Sequence, residues 1–222
     1  MANGNNNSYH EGGGAIALWN ASPVIVNCIF NENYAVDYGG AILAYMYSNP
    51  IISNCLFYNN ESQRGGAIAF YDYSDGILIN NTLVENRSDY GGGLFFYHRS
   101  NPEIINNIIW NNDASYSGNQ AYLSSMRSDP GFYYCDIEEG ASGFGGAFFN
   151  GDYLFNMNED PMFEENSDFI FLTGAESPCM NQGTSDTSIW FYSNILPETC
   201  LCGTPRILDG RIEIGPYERL LI

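Results

Sequence analysis

Gly13-Gly14-Ala15-Ile16 returns as Gly39-Gly40-Ala41-Ile42, as Gly65-Gly66-Ala67-Ile68 and as Gly91-Gly92-Gly93-Leu94, each copy 26 residues after the last. Four copies at one spacing are the signature of a stacked, solenoid-like chain. A second element recurs with it: Phe30-Asn31-Glu32-Asn33, Phe57-Tyr58-Asn59-Asn60, Leu83-Val84-Glu85-Asn86 and Ile109-Trp110-Asn111-Asn112. Before each lies an apolar run, and before each run a turn pair, Ser22-Pro23, Asn49-Pro50, Asp75-Gly76 or Asn101-Pro102. Short runs rich in Ile, Val, Phe and Tyr are strand-like, and no stretch has helical periodicity. A third strand per period, near Asn33–Tyr38, is poorly marked.

Strands at a fixed period, with no hairpin between them, coil so that each pairs with its equivalent one period later. Each coil then rises by one strand spacing, about 4.8 Å, and equivalent residues stack in columns. Ile16, Ile42, Ile68 and Leu94, with Leu18, Ala44, Phe70 and Phe96, fill the interior. Asn33, Asn60, Asn86 and Asn112 form an amide ladder at a corner, where asparagine also tolerates left-handed backbone. The fold class is all-β, a right-handed parallel β-helix of seven or eight coils. A leucine-rich repeat would need a leucine spacing that is absent.

The pairing of GGA[ILV] with FxxN resembles the repeats of chlamydial polymorphic outer-membrane proteins and of many secreted bacterial β-helix proteins, over about residues 12–118. Beyond Asn112 the repeat fades, with degenerate copies at Gly118-Asn119-Gln120-Ala121 and Gly145-Gly146-Ala147-Phe148. Asp160-Pro161-Met162-Phe163, Ser177-Pro178-Cys179-Met180-Asn181-Gln182-Gly183-Thr184 and Ile214-Gly215-Pro216-Tyr217-Glu218 follow. This series resembles the C-terminal part of bacterial surface β-helix proteins that precede one of several anchoring modules. Glu213 and Pro216 stand where those proteins carry Asp and Ala. The resemblance implies surface display, at the bacterial cell surface or outside the cell. The organisation expected is a disordered or partial first coil over 1–11, regular coils over 12–118, and degenerate coils with a loop-rich cap over 119–222. That cap should cover the open end, where strand edges and core would otherwise be exposed.

Twenty-six Asp and Glu face seven arginines and no lysine, a net charge of −19. Such a surface argues against nucleic acid and anionic membranes, and no apolar run is long enough to span a bilayer. Cys28 and Cys55 share a column one coil apart, as stacked thiols or as a bond. Cys179, Cys200 and Cys202 lie in the loop-rich segment, where a disulfide from Cys179 to Cys200 or Cys202 would help most. Cys200-Leu201-Cys202 lacks zinc-ligand spacing.

Right-handed β-helices include polysaccharide lyases and glycoside hydrolases. A pectate-type lyase needs an Arg or Lys base. Arg64, Arg87, Arg99 and Arg127 are available, but Arg64 and Arg87 fall in the variable stretch before a glycine pair and read as solvated turn residues. A galacturonase-like site needs clustered aspartates beside a Gly-His-Gly segment, which neither His10 nor His98 has. Asp72 with Asp75, and Glu138 with Glu139, could serve acid–base chemistry and read more simply as surface charges. No catalytic residue is assigned.

The aromatic columns are the stronger clue. Trp19, Tyr45, Tyr71 and Tyr97 occupy one position in four repeats, and Ala21, Tyr47, Tyr73 and Arg99 the position two residues on. Strand alternation points them outward if Ile16 and Leu18 point inward. Ala15, Ala41, Ala67 and Gly93 are expected on the same face as a shallow floor. Aromatics beside such a floor suit stacking on sugar rings, with Asp72 and Asp75 bonding hydroxyls or holding calcium. The alternative is a ladder that only stabilises the coils. Calcium is an expected cation without an assigned site. The function expected is a non-enzymatic surface module, a stalk or adhesin that binds polysaccharide or a host or cell-surface glycan. The alternatives are a polysaccharide lyase or glycoside hydrolase, and a module that self-associates through an exposed N-terminal coil.

Overall fold

The computed structural model describes residues 12–164, 169–186, 196–207, 210 and 212–218; the start at 1–11 lies outside the described residues. The strands of each coil pair in parallel with their equivalents in the next. The first face stacks Ile16–Trp19, Ile42–Tyr45, Ile68–Tyr71, Leu94–Tyr97, Ala121–Leu123 and Phe144–Gly146. The second stacks Val24–Val26, Ile51–Ser53, Ile77–Ile79, Glu103–Ile105, Gly131–Tyr133 and Tyr153–Leu154. The third stacks Ile29–Asn31, Leu56–Tyr58, Thr82–Val84, Ile108–Trp110 and Asp136–Ile137. A narrow fourth sheet, Glu61–Arg64, Arg87–Tyr90 and Asp113–Ser117, occupies the poorly marked stretch before the glycine pair. Arg64 and Arg87 are therefore strand residues and not turn residues.

Among the described residues the first two faces are six strands deep, against the seven or eight coils expected of the whole chain. Leu94 pairs with Ala121, one residue beyond the regular period. The extra residue is absorbed where Ser88 and Tyr90 pair with Ala114 and Ser117, a register shift of the β-bulge kind.

The glycine pair has a two-part explanation. Gly39 and Gly65 have φ of +61° and +73°, in the left-handed region that a side chain disfavours. The next glycine touches the following coil: a Cβ on Gly40 or Gly66 would sit 2.1 or 2.3 Å from the carbonyl oxygen of Gly66 or Gly92. Alternation breaks at this corner, where the N–H groups of Ala15 and Ile16 both donate to Ala41 O. As a result Ala41 and Ala67 are fully buried in the core, not on the outer floor where alternation put them; Ala15 alone is exposed.

The amide ladder forms as expected. Asn33 donates to Asn60 Oδ1 at 2.8 Å, Asn60 to Asn86 Oδ1 at 2.8 Å, and Asn86 to Asn112 Oδ1 at 2.9 Å. Its members are not the left-handed residues, however. That conformation belongs to the residue before each, Glu32, Asn59, Glu85 and Asn111. The Cys28 column behaves similarly: Asn81 Oδ1 accepts from Cys55 N and Asn107 Oδ1 from Asn81, while Cys28 and Cys55 remain unbonded thiols.

Inside lie Ile42, Phe57, Phe70, Leu83 and Phe96, all fully buried, and Phe132, Phe144, Phe149 and Tyr153 pack together at the last coils. The described part of the C-terminal segment packs against the coils. It runs back along the side of the coils as a strap, held by the corner asparagines. Asn106 binds Thr184, Asn80 donates to Glu213 O and Gly215 O, and Asn54 donates to Thr199 O. Beneath it the outward-facing Ile77, Ile79, Ile105 and Ile108 are buried. The C-terminal motifs are the anchor points. Cys179 donates to Asp136 Oδ2, Tyr217 donates to Ile170 O, and Glu218 pairs with Arg206 at 3.2 Å, both side chains buried. The expected disulfide from Cys179 does not form: Cys200 is joined to Cys202, because Cys179 is turned inward against Asp136, Ile108 and Ile214.

Candidate functional site

Two surfaces collect chemistry. The first is the outside of the first face. Ala17, Leu43, Ala69, Phe95 and Tyr122 share one outward column by strand register. Leu43, Ala69 and Phe95 are buried beneath Tyr38, Tyr45, Tyr71, Tyr90, Tyr97 and Tyr122. This is the floor of the site, in place of the Ala41 column.

The structure brings Trp19, Tyr45, Tyr71 and Tyr97 into one continuous column. Ring centroids lie 4.6, 5.3 and 4.5 Å apart in turn, with interplanar angles of 79°, 62° and 32°. The first two pairs meet edge-on and the third is tilted, so the column is corrugated and not a flat platform. Trp19 is 61% exposed; Tyr45, Tyr71 and Tyr97 are half-buried. Tyr38 adds an edge-on contact to Tyr71 at 5.0 Å. Desolvation by burial raises the pKa of Tyr71 and, less strongly, of Tyr45, so both phenols stay protonated.

Tyr47 stacks on Tyr73 at 5.1 Å and 15°, and Arg99 lies over the Tyr73 ring. Ala21 is not the head of this column. Its N–H donates to Ser48 Oγ, in the serine column of Ser48, Ser74 and Ser100, because the first coil is one residue shorter there. Met46, Tyr47, Asp72, Tyr73, His98 and Arg99 all have positive φ. Three bulky pairs thus turn the corner in a conformation that costs L-residues free energy. One carboxylate oxygen of Asp72 is engaged: its Oδ1 lies 2.7 Å from His98 Nδ1. Asp75 Oδ1 accepts from Asn101 N.

The second surface lies on the fourth sheet. An open groove of about 460 Å³ is lined by Tyr34, Val36, Glu61, Arg87, Asp89 and Asp113. It meets another of about 520 Å³, lined by Glu85, Asn111, Glu138 and Glu139, which shares Arg87 and Asp113. Arg87 pairs in register with Glu61 on one side and Asp113 on the other. Glu138 is fixed by accepting from Asn111 N and Gln120 Nε2. Sequence reasoning missed this column, although Glu61, Arg87 and Asp113 recur at the same 26-residue spacing as the glycine pair. Among the described residues no group of three His, Cys, Asp or Glu side chains converges as metal ligands, and no helix is long and apolar enough to cross a membrane.

A family model described as "right handed beta helix region" matches residues 3–177. No curated protein and no solved structure matches the chain. Parallel coils, an in-register amide ladder and a family match over most of its length agree: the chain belongs to the right-handed β-helix family.

Proposed function

We propose that this chain is a non-enzymatic module of an extracellular or surface-displayed bacterial protein, a stalk or adhesin that binds carbohydrate through the aromatic strip. The observation that carries this reading is the strip itself. Trp19, Tyr45, Tyr71 and Tyr97 line up along the coil axis over a buried apolar floor. Four coils span three strand spacings, about 14 Å, which suits an oligomeric ligand over a monosaccharide. Neutral phenol groups beside apolar ring faces match the mixed surface of a sugar, which has C–H faces and hydroxyl edges. The test is migration through native gels cast with soluble polysaccharides, with and without calcium. Retardation by one polymer, abolished by Tyr45→Ala with Tyr71→Ala, supports the reading; retardation by none, or retardation that the pair leaves intact, refutes it.

A second reading rests on the groove. Glu61 and Asp113 flank Arg87 one coil away on each side, so their backbones are two strand spacings apart, about 9.6 Å. Side chains from such a spacing whose carboxylates converge to roughly 6.5–9.5 Å would suit inverting glycoside hydrolysis. Release of reducing ends from any polymer in the panel, lost in Glu61→Gln and in Asp113→Asn, would favour this hydrolase reading over the stalk.

A further inference from the structure

The charges around the strip narrow its ligand, on the reading that the strip is a glycan site. We infer that the ligand is an uncharged polysaccharide, a neutral hexose or N-acetylhexosamine polymer, and not a polyuronate.

A polyuronate brings a carboxylate with every sugar, and a site that follows it coil by coil needs a free cation at a matching interval. The strip offers none at its centre. Its columns read Trp19, Tyr45, Tyr71, Tyr97 and Ala17, Leu43, Ala69, Phe95, Tyr122, which are aromatic or aliphatic throughout. The arginines at its margins, Arg64 and Arg99, do not recur from coil to coil, where tyrosines take their places. Arg64 lies over the Tyr38 ring and 3.9 Å from Asp37. His98 is held by Asp72. Arg99 is placed over Tyr73 at 5.6 Å. Beyond the margins the field is repulsive to anions, with a net charge of −19 and no lysine in the chain. What the strip does offer is apolar ring surface and phenolic hydroxyls, which bind C–H faces and neutral hydroxyls without needing charge.

The experiment uses polymers that differ in charge, two of them on the same cellulose backbone. The intact chain is run through native gels containing hydroxyethyl cellulose or glucomannan as neutral arms, and carboxymethyl cellulose or polygalacturonate as anionic arms. Each is run at low salt and at 0.5 M salt, about a 5 Å screening length or less. Retardation by a neutral arm at both salts, none by an anionic arm at low salt, and at least a tenfold weaker retardation in Tyr45→Ala/Tyr71→Ala is the expected result. Tyr47→Ser, on an exposed ring, gives a second variant that spares the core, and circular dichroism checks that both variants fold. Low-salt retardation by an anionic arm that needs the tyrosines would overturn the inference and leave the glycan site standing. Retardation by no arm, or retardation that ignores the tyrosines, would overturn both.

Discussion

Asn86→Ala removes the middle of the amide ladder, and its cost can be worked from the bonds lost. Asn86 is fully buried. Its Oδ1 accepts from Asn60 N at 3.0 Å and Asn60 Nδ2 at 2.8 Å, and its Nδ2 donates to Phe57 O, Val84 O and Asn112 Oδ1. Asn112 Oδ1 keeps a donor in Asn86 N. The backbone N–H of Asn60 and one of its amide hydrogens lose their acceptor in a buried site. An orphaned buried polar group costs about 1–3 kcal/mol, so the pair with the residual cavity gives about 3–5 kcal/mol. That is a large part of the roughly 5–15 kcal/mol that holds a domain folded. Asn33→Ala is the internal control. Among the described residues it loses only its donated bond to Asn60 Oδ1, which still accepts from Asn33 N, so the cost is about 1 kcal/mol. Urea unfolding followed by far-UV circular dichroism measures both. Equal shifts for the two variants, or less than about 1 kcal/mol for Asn86→Ala, would refute the ladder as a source of stability.

Other outcomes follow from the same contacts. Gly66→Ala places a methyl group 2.3 Å from Gly92 O; it should destabilise by more than about 3 kcal/mol, seen as lost soluble yield or a sharply lower melting temperature. Arg206→Ala leaves Glu218 buried without its cation. A loss of about 3–5 kcal/mol should fall on the strap, so limited proteolysis should cut beyond residue 176 before it cuts the coils. Desolvation by burial raises the pKa of Asp136 to about 6. The folded state then holds this proton more tightly than the unfolded one, and that stability is present at low pH and lost as pH rises through 6. Urea midpoints should fall from pH 4 to pH 7, and Asp136→Asn should flatten that slope.

Much of the fold is legible because a solenoid repeats its constraints. The glycine pair and the Ile16 and Leu18 columns recur at one interval, the Asn33 ladder departs from it by one residue at its first step only, and each copy restates the others. The misassigned Ala41 and Ala67 mark the limit of alternation, which holds within a strand and fails at the corner leading into it. The strap is not legible because it depends on side contacts far apart in sequence, such as Asn80 with Glu213. Nothing in the apolar character of Ile77, Ile79 and Ile105 says whether solvent or chain covers their outer side. The aromatic column is legible in place and direction, since its parity is opposite to that of Ile42 and Ile68. Its corrugation is not, because ring tilt is set by neighbours such as Tyr38 from the adjoining face. The Glu61, Arg87 and Asp113 column had a signal in its even spacing, masked by the weak strand character of Glu-Ser-Gln-Arg.

The most direct test of the glycan strip is the fluorescence of Trp19, the most exposed member of its column. The chain is titrated with the soluble polysaccharide that retards it most, and quenching by acrylamide is compared with and without polymer. The account predicts that bound polymer shields Trp19, that Trp19→Phe removes the shielded signal, and that Tyr45→Ala/Tyr71→Ala prevents the shielding. Unchanged quenching at polymer concentrations that retard the chain, or no polymer that retards it at all, would contradict the claim.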